Sequence, residues 1–324
     1  MLIAINISFG QVTIPFQAIF KILTGSSAVK ETWEFIILHF RLPKTITALL
    51  VGSGLAISGL MMQTLFRNPL AGPYVLGLSS GSSLGVAFML LGAGLLPSSI
   101  HDIVLSNGGM IIASCLGSLF VLLLIFTIAR KLKDTMSVLI IGLMFSSFSS
   151  AVVSVLTYFS SAEQLQRFTF WSLGSIGNLS WNQVILLTLT VMIGLLLSLR
   201  TIKTLDALLL GENYAQSLGI ALKKERNILF LATGILTGSI TAFVGPIAFI
   251  GLAVPHLAKL YFQTSNHKII FIGSFLIGCC VMLLCDTLSQ MPGQNFTLPI
   301  NAITSIIGAP MVIWLLIRKK NFKN

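Results

Sequence analysis

Arg200–Arg226, RTIKTLDALLLGENYAQSLGIALKKER, is the longest charged interruption in an otherwise apolar chain. Five of the 20 Lys and Arg and three of the nine Asp and Glu fall in it, with long hydrophobic runs on both sides. Over 324 residues the chain is 55% hydrophobic and 9% charged, where an ordinary soluble domain carries about 25% charged residues. Apolar runs of roughly 20 residues recur along it, the length that crosses a bilayer as a helix. Lipid gives unpaired backbone groups no partner, so spans are helices or a closed barrel, and continuous apolar runs select helices. The polar stretch is therefore a connection between spans of an all-α polytopic membrane protein.

Spans are expected near 45–66, 73–91, 110–129, 136–159, 182–199, 227–243, 247–262, 269–287 and 298–317. Met1–Phe9 is apolar but too short to cross, and residues 10–44 are mixed. The net charge of +11 is placed at span ends, not in a basic soluble segment, which argues against nucleic acid. Counting back from Arg318, Lys319, Lys320 and Lys323, the inner side collects Arg67, Arg130, Lys131, Lys133, Arg200, Lys203, Lys223, Lys224, Arg226, Lys259 and Lys268 as well. Those 15 basic residues face five outside: Lys21, Lys30, Arg41, Lys44 and Arg167. Residues 200–226 and the C-terminus are thus expected in the cytoplasm. Cys115, Cys279, Cys280 and Cys285 lie in apolar runs and read as buried free thiols. No charged n-region or small-residue cleavage site is present, so no removable signal peptide is expected.

Ala71–Leu78, AGPYVLGL, echoes Val244–Leu252, VGPIAFIGL, with one insertion. The topology sets the first at the inner side and the second near the outer side. An inverted repeat would give that, and so would two Gly-Pro helix breaks at membrane boundaries. Gly77-Leu78-Ser79-Ser80-Gly81 matches the nucleophile elbow of hydrolases, with His256 the only base to weigh. Its apolar helical setting and the run Gly77, Gly81, Gly85 favour close helix packing instead. Asp286 is the one carboxylate placed within a span; it is either a proton-coupling group or, preferably, a helix-end cap or ion-pair anchor. No G-x-x-x-x-G-K-[ST] occurs, so the chain does not itself cradle nucleotide phosphates. Within the central loop, Leu208–Gly219 reads as two short helices broken at Gly211 and ended at Gly219. Leu210, Tyr214, Ala215 and Leu218 share an apolar face that suits a protein partner or the membrane surface.

Together these segments resemble one family: permease subunits of binding-protein-dependent ABC importers for iron–siderophores, haem and cobalamin. The resemblance rests on Arg41-Leu42-Pro43-Lys44, on Arg67-Asn68-Pro69-Leu70-Ala71 with Pro73, Leu76-Gly77, Ser80 and Gly81, and on Trp171, Gly174 and Trp181. It continues through Leu210-Gly211-Glu212, Ala215, Leu218-Gly219, Phe243-Val244-Gly245, Phe249–Leu252, Val254-Pro255-His256, Asp286, Leu298-Pro299 and Gly308-Ala309-Pro310. It implies a type II importer permease of about ten spans in one domain, 1–324, in the bacterial cytoplasmic (inner) membrane. That domain divides into a truncated first helix and external segment (1–44), a first helical half (45–199), a coupling loop (200–226) and a second half (227–324). The implied partners are two cytoplasmic ATPase subunits, an external substrate-binding protein, a second permease subunit and membrane lipid; no cofactor and no bond chemistry of its own are implied. Carried over by position, Leu210, Gly211, Glu212, Ala215, Leu218 and Gly219 couple to the ATPase. Arg41 and Lys44 meet the binding protein, and Thr135 and Ser137 mark the cytoplasmic gate. Two departures stand out: Gln290 occupies the place of a docking Arg, and Thr297 that of a Glu. The family's first span is matched only at its end, by Met1–Phe9.

Overall fold

Every apolar run expected to span folds as a helix in the computed structural model, which describes residues 1–10, 12, 14–24, 30–92, 106–132, 135–290 and 297–321. The helices are α1 (Leu2–Ser8), α2 (Phe16–Leu23), α3 (Glu31–Ile36), α4 (Leu42–Leu65), α5 (Leu78–Leu90), α6 (Asn107–Lys131), α7 (Thr135–Tyr158) and α8 (Ala162–Ser172). They continue as α9 (Trp181–Arg200), α10 (Ile202–Leu210), α11 (Glu212–Ser217), α12 (Leu222–Val244), α13 (Ile250–Phe262), α14 (His267–Ser289) and α15 (Ile300–Asn321). Six are long and apolar enough to cross a membrane; α5, α13 and α15 supply shorter apolar segments. Of the basic residues counted above, Lys133 and Lys323 lie outside the described residues.

The helix that carries the first expected span begins earlier than residue 45: α3 runs through a π-turn at Ile37–Arg41 straight into α4. Pro43 has no N–H to return to the preceding turn, and the ladder widens there instead of stopping. Local caps set other starts. Ser161 with Gln164 and Ser180 with Gln183 close reciprocal capping boxes on α8 and α9.

Two mostly buried helices, α4 and α12, form the spine, while α6, α7 and α9 turn much of their surface outward. Glycine lets the backbones touch. Gly52 of α4 lies against Gly278 of α14, where an added Cβ would sit 2.7 Å from the Gly278 carbonyl carbon. Gly81 meets Gly117 in the same way and Gly85 meets Ala113, so these two are a packing face between α5 and α6, whereas Gly77 caps α5 against Gly142 of α7; Ser79 lies in the first turn of a helix instead of a strand-borne elbow. Cys280 is exposed, unlike the buried thiol expected there.

The two Gly-Pro echoes touch each other. They cross inside the bundle: Tyr74 Oη donates to the Ile247 carbonyl and accepts from the Ile247 N–H at 3.3 Å, and Gly251 packs on Pro73. The crossing is beside Gly59, about 8 Å from the midpoint of α4 at 1.5 Å per residue. From it α5 and α13 depart in opposite directions, as two inverted half-helices do. The paired glycines differ in backbone, with φ −85° at Gly72 and 79° at Gly245.

Candidate functional site

Residues 200–226 gather at one end of the bundle with the last turn of α4 and the first turns of α7, α12 and α14; Lys44, Asp286 and the start of α15 lie at the other. At the loop end, the expected helix pair is present. Gly211 breaks it at φ 121°, a region that L side chains rarely adopt, and Gly219 follows α11 at φ 82°. Leu210, Tyr214 and Leu218 are more than half exposed, but Ala215 is fully buried, so it anchors α11 and is not part of the outward face.

Glu212 opens α11, where a carboxylate complements the helix N-terminus. Its Oε1 accepts from Thr135 Oγ1 at 2.6 Å, and Arg226 Nη1 reaches the same hydroxyl at 3.4 Å. One expected coupling residue is thus bonded to one expected gate residue, at the first position of α7. Ser137 is half-buried two residues along. Arg67 Nη2 donates to the Leu208 carbonyl at 2.9 Å and lies 3.1 Å from where a Gly211 Cβ would be. A groove of about 670 Å³ runs between Arg67, Thr135, Glu212 and Tyr214.

The opposite end turns its charges inward. Asp286 is completely buried: Oδ1 pairs with Lys44 Nζ at 2.9 Å, and Oδ2 accepts from Asn6 Nδ2 at 2.8 Å and Gln290 Nε2 at 3.0 Å. This is the ion-pair anchor of the two readings of Asp286. Asn6 also accepts from Thr45 Oγ1 at 2.7 Å, which pins α1 across α4 and α14. Arg41, 8% exposed, donates to the carbonyls of Ile7 (2.5 Å), Ser8 (2.9 Å) and Val12. None of Arg41, Lys44 and Gln290 holds out a bare charge; all three line an open cavity of about 810 Å³ with Phe40, Phe170, Asn178 and Thr297. Asn6 was invisible in the sequence, being one amide in a short apolar run. A rule that a buried carboxylate needs a cation at the same end finds Lys44 but not Asn6.

The profile of the FecCD transport family matches residues 1–318. The chain is 34% identical over 302 residues to the hemin transport system permease protein HmuU of Yersinia pestis, covering 93% of this chain and 88% of that protein. It is 35% identical over 290 residues to the vitamin B12 import system permease protein BtuC of Citrobacter koseri, covering 89% and 84%. A solved chain of a metal-chelate type ABC transporter in an inward-facing conformation superposes with TM-score 0.84 at 27% identity, covering 98% of this chain and 95% of that one. The fold alone extends to PsaBC from Streptococcus pneumoniae in complex with Fab, with TM-score 0.61, 17% identity and coverage of 94% and 100%. The chain belongs to the FecCD transport family and has the type II fold of an ABC importer permease.

Proposed function

We propose that this permease moves an iron–siderophore, haem or cobalamin inward across the bacterial cytoplasmic membrane, driven by ATP hydrolysis on partner subunits. One observation carries the coupling part of this reading: the bond between Glu212 on the Gly-broken helix pair and Thr135 at the start of α7. A partner pressing on exposed Leu210, Tyr214 and Leu218 moves α11, and the Glu212–Thr135 bond passes that movement to a spanning helix. Two ATPase subunits dock there, on a pair of permeases, each of them one domain, with residues 200–226 and the C-terminus in the cytoplasm. At the outer end a binding protein delivers the chelate above the 810 Å³ cavity. Arg41, Lys44 and Gln290 carry its docking from the cavity floor. Because each is already bonded within the chain, an incoming carboxylate competes with Asp286 for Lys44.

Purified permease, ATPase and binding protein in liposomes should take up haem, cobalamin or a ferric hydroxamate only with ATP inside. Uptake that collapses with a protonophore while ATP stays high would instead support a proton-coupled carrier through Asp286. The docking reading has its own test: Lys44→Gln should weaken binding-protein affinity several-fold at low salt and less at high salt. An affinity unchanged at low salt removes that role.

A further inference from the structure

We infer that Asp206, His267 and Thr64 form the pin through which the coupling helices move α4 and α14 as a single body. This rests on the coupling role proposed for residues 202–219. Asp206 lies on α10, His267 is the first residue of α14, and Thr64 is in the last turn of α4. Asp206 Oδ1 accepts from both the His267 backbone N–H (2.9 Å) and ring Nδ1 (2.8 Å). With Nδ1 protonated toward the carboxylate, Nε2 of the neutral ring accepts the Thr64 hydroxyl at 2.9 Å. The ring is 1% exposed, so water does not replace its bond to Thr64 cheaply, while the Asp206 carboxylate is 41% exposed at the outer edge of the cluster.

The pin matters because of what lies beyond it. α4 and α14 are tied at three levels: Thr64–His267 at the inner end, Gly52 against Gly278 midway, and Lys44–Asp286 at the outer end. Two helices fixed at both ends and touching by backbone in the middle tilt together. A displacement of α10 at Asp206 therefore reaches the outer cavity, roughly 35 Å away along a 24-residue helix, where Lys44 and Asp286 line it. Asp206 and His267 are positioning residues; neither needs to touch the chelate or the nucleotide.

The test uses the complete transporter in liposomes, with Cys115, Cys279, Cys280 and Cys285 replaced by Ala and Thr297→Cys, an exposed position at the cavity, as the single thiol reporter. Labelling by a charged thiol reagent is compared without nucleotide and after trapping with ATP and vanadate. The wild-type background should show a several-fold nucleotide-dependent change in labelling. Asp206→Asn and His267→Leu should each cut that change, and haem, cobalamin or ferric-hydroxamate uptake per ATP hydrolysed, by roughly tenfold. The ATPase subunits should still co-purify, and the double variant should be no worse than the worse single. His267→Gln, whose amide both donates and accepts, should recover part of the loss. If Asp206→Asn does not assemble, Thr64→Val breaks only the α4 side and is read in the same way. A wild-type labelling change in these variants overturns the pin, as does no nucleotide-dependent change in the unaltered background. So do ATPase and uptake lost in equal proportion. Failure of the coupling reading itself shows separately: Glu212→Arg would then keep both ATPase binding and the labelling change.

Discussion

The two ends of this bundle invert the usual placement of side chains, one by burying charges and the other by exposing apolar groups. At the outer end Arg41, Lys44, Asp286 and Gln290 point into the protein, bonded to each other, to Asn6 and to backbone carbonyls. At the loop end apolar Leu210, Tyr214 and Leu218 point out, while Glu212 holds Thr135 beneath them. The cluster around Asp286 clamps the seven-residue α1 with buried polar bonds from Asn6 to α4 and α14. The inner end leaves apolar area uncovered, which costs free energy unless a partner covers it. On the proposed function, charge marks stability at the Asp286 end and transmission at the loop end, and substitutions should separate the two.

The largest effect is expected at the outer end. Asp286→Ala leaves the partly buried Lys44 ammonium without its counter-ion and takes one acceptor each from the Asn6 and Gln290 amides, which keep Thr287 Oγ1 and the residue-286 carbonyl. Removing one partner of such a pair costs about 3–5 kcal/mol. Thermal unfolding in detergent should show it as a large drop in midpoint and yield, with much of it returned by adding Lys44→Met. A variant as stable as wild type would mean that the outer cluster does not hold α1. Gly211→Arg comes next and should act in the other manner. A side chain at φ 121°, 3.1 Å from Arg67, costs on the order of 1–3 kcal/mol of local strain. Unfolding of the spans should barely change while ATPase co-purification is lost. Intact co-purification would erase the contrast between the ends.

Thr135→Val is smaller and sharper. It keeps the shape of the side chain but removes the hydroxyl between Glu212 and Arg226, a net change of about 1 kcal/mol. Uptake per ATP should fall several-fold with ATPase subunits still bound. Equal loss of binding and uptake would place Thr135 in docking and not in transmission.

How much of this was readable in advance follows from range. The spans, the break at Gly211 and the stop at Gly219 are written in residues within a turn or two of each other, so periodicity and glycine sufficed. Leu210, Tyr214 and Leu218 came out exposed as their spacing suggested, but Ala215 did not. A small side chain on the edge of an apolar face fits equally against the core, and only packing decides. The bonds that join the site are of another kind. Asn6 with Asp286, Thr135 with Glu212 and Thr64 with His267 lie tens to hundreds of residues apart, and no local pattern marks a polar side chain as half of a pair. The inward turn of Arg41 was hidden for the same reason: its partners are backbone carbonyls of residues 7, 8 and 12, which carry no side-chain signature. The Gly-Pro echo was visible as an echo, whereas its crossing at Tyr74 and Ile247 depends on how deep each break sits.

The smallest effect sharpens the comparison most. Arg167 and Glu163 pair at 2.9 Å, the same separation as Lys44 and Asp286. Their side chains are 47% and 74% exposed, on the solvent side of α8, against 17% and 0% for the buried pair. Water and salt screen the exposed pair, and holding two long side chains together costs rotamer freedom, so its worth is about 0.3–0.5 kcal/mol. Glu163→Gln should therefore leave unfolding, ATPase binding and uptake within error of wild type, at a distance where Asp286→Ala is severe. A large loss in Glu163→Gln would show that distance, not burial, governs the outer charges. The division of labour between the two ends would then have to be redrawn around exposed pairs.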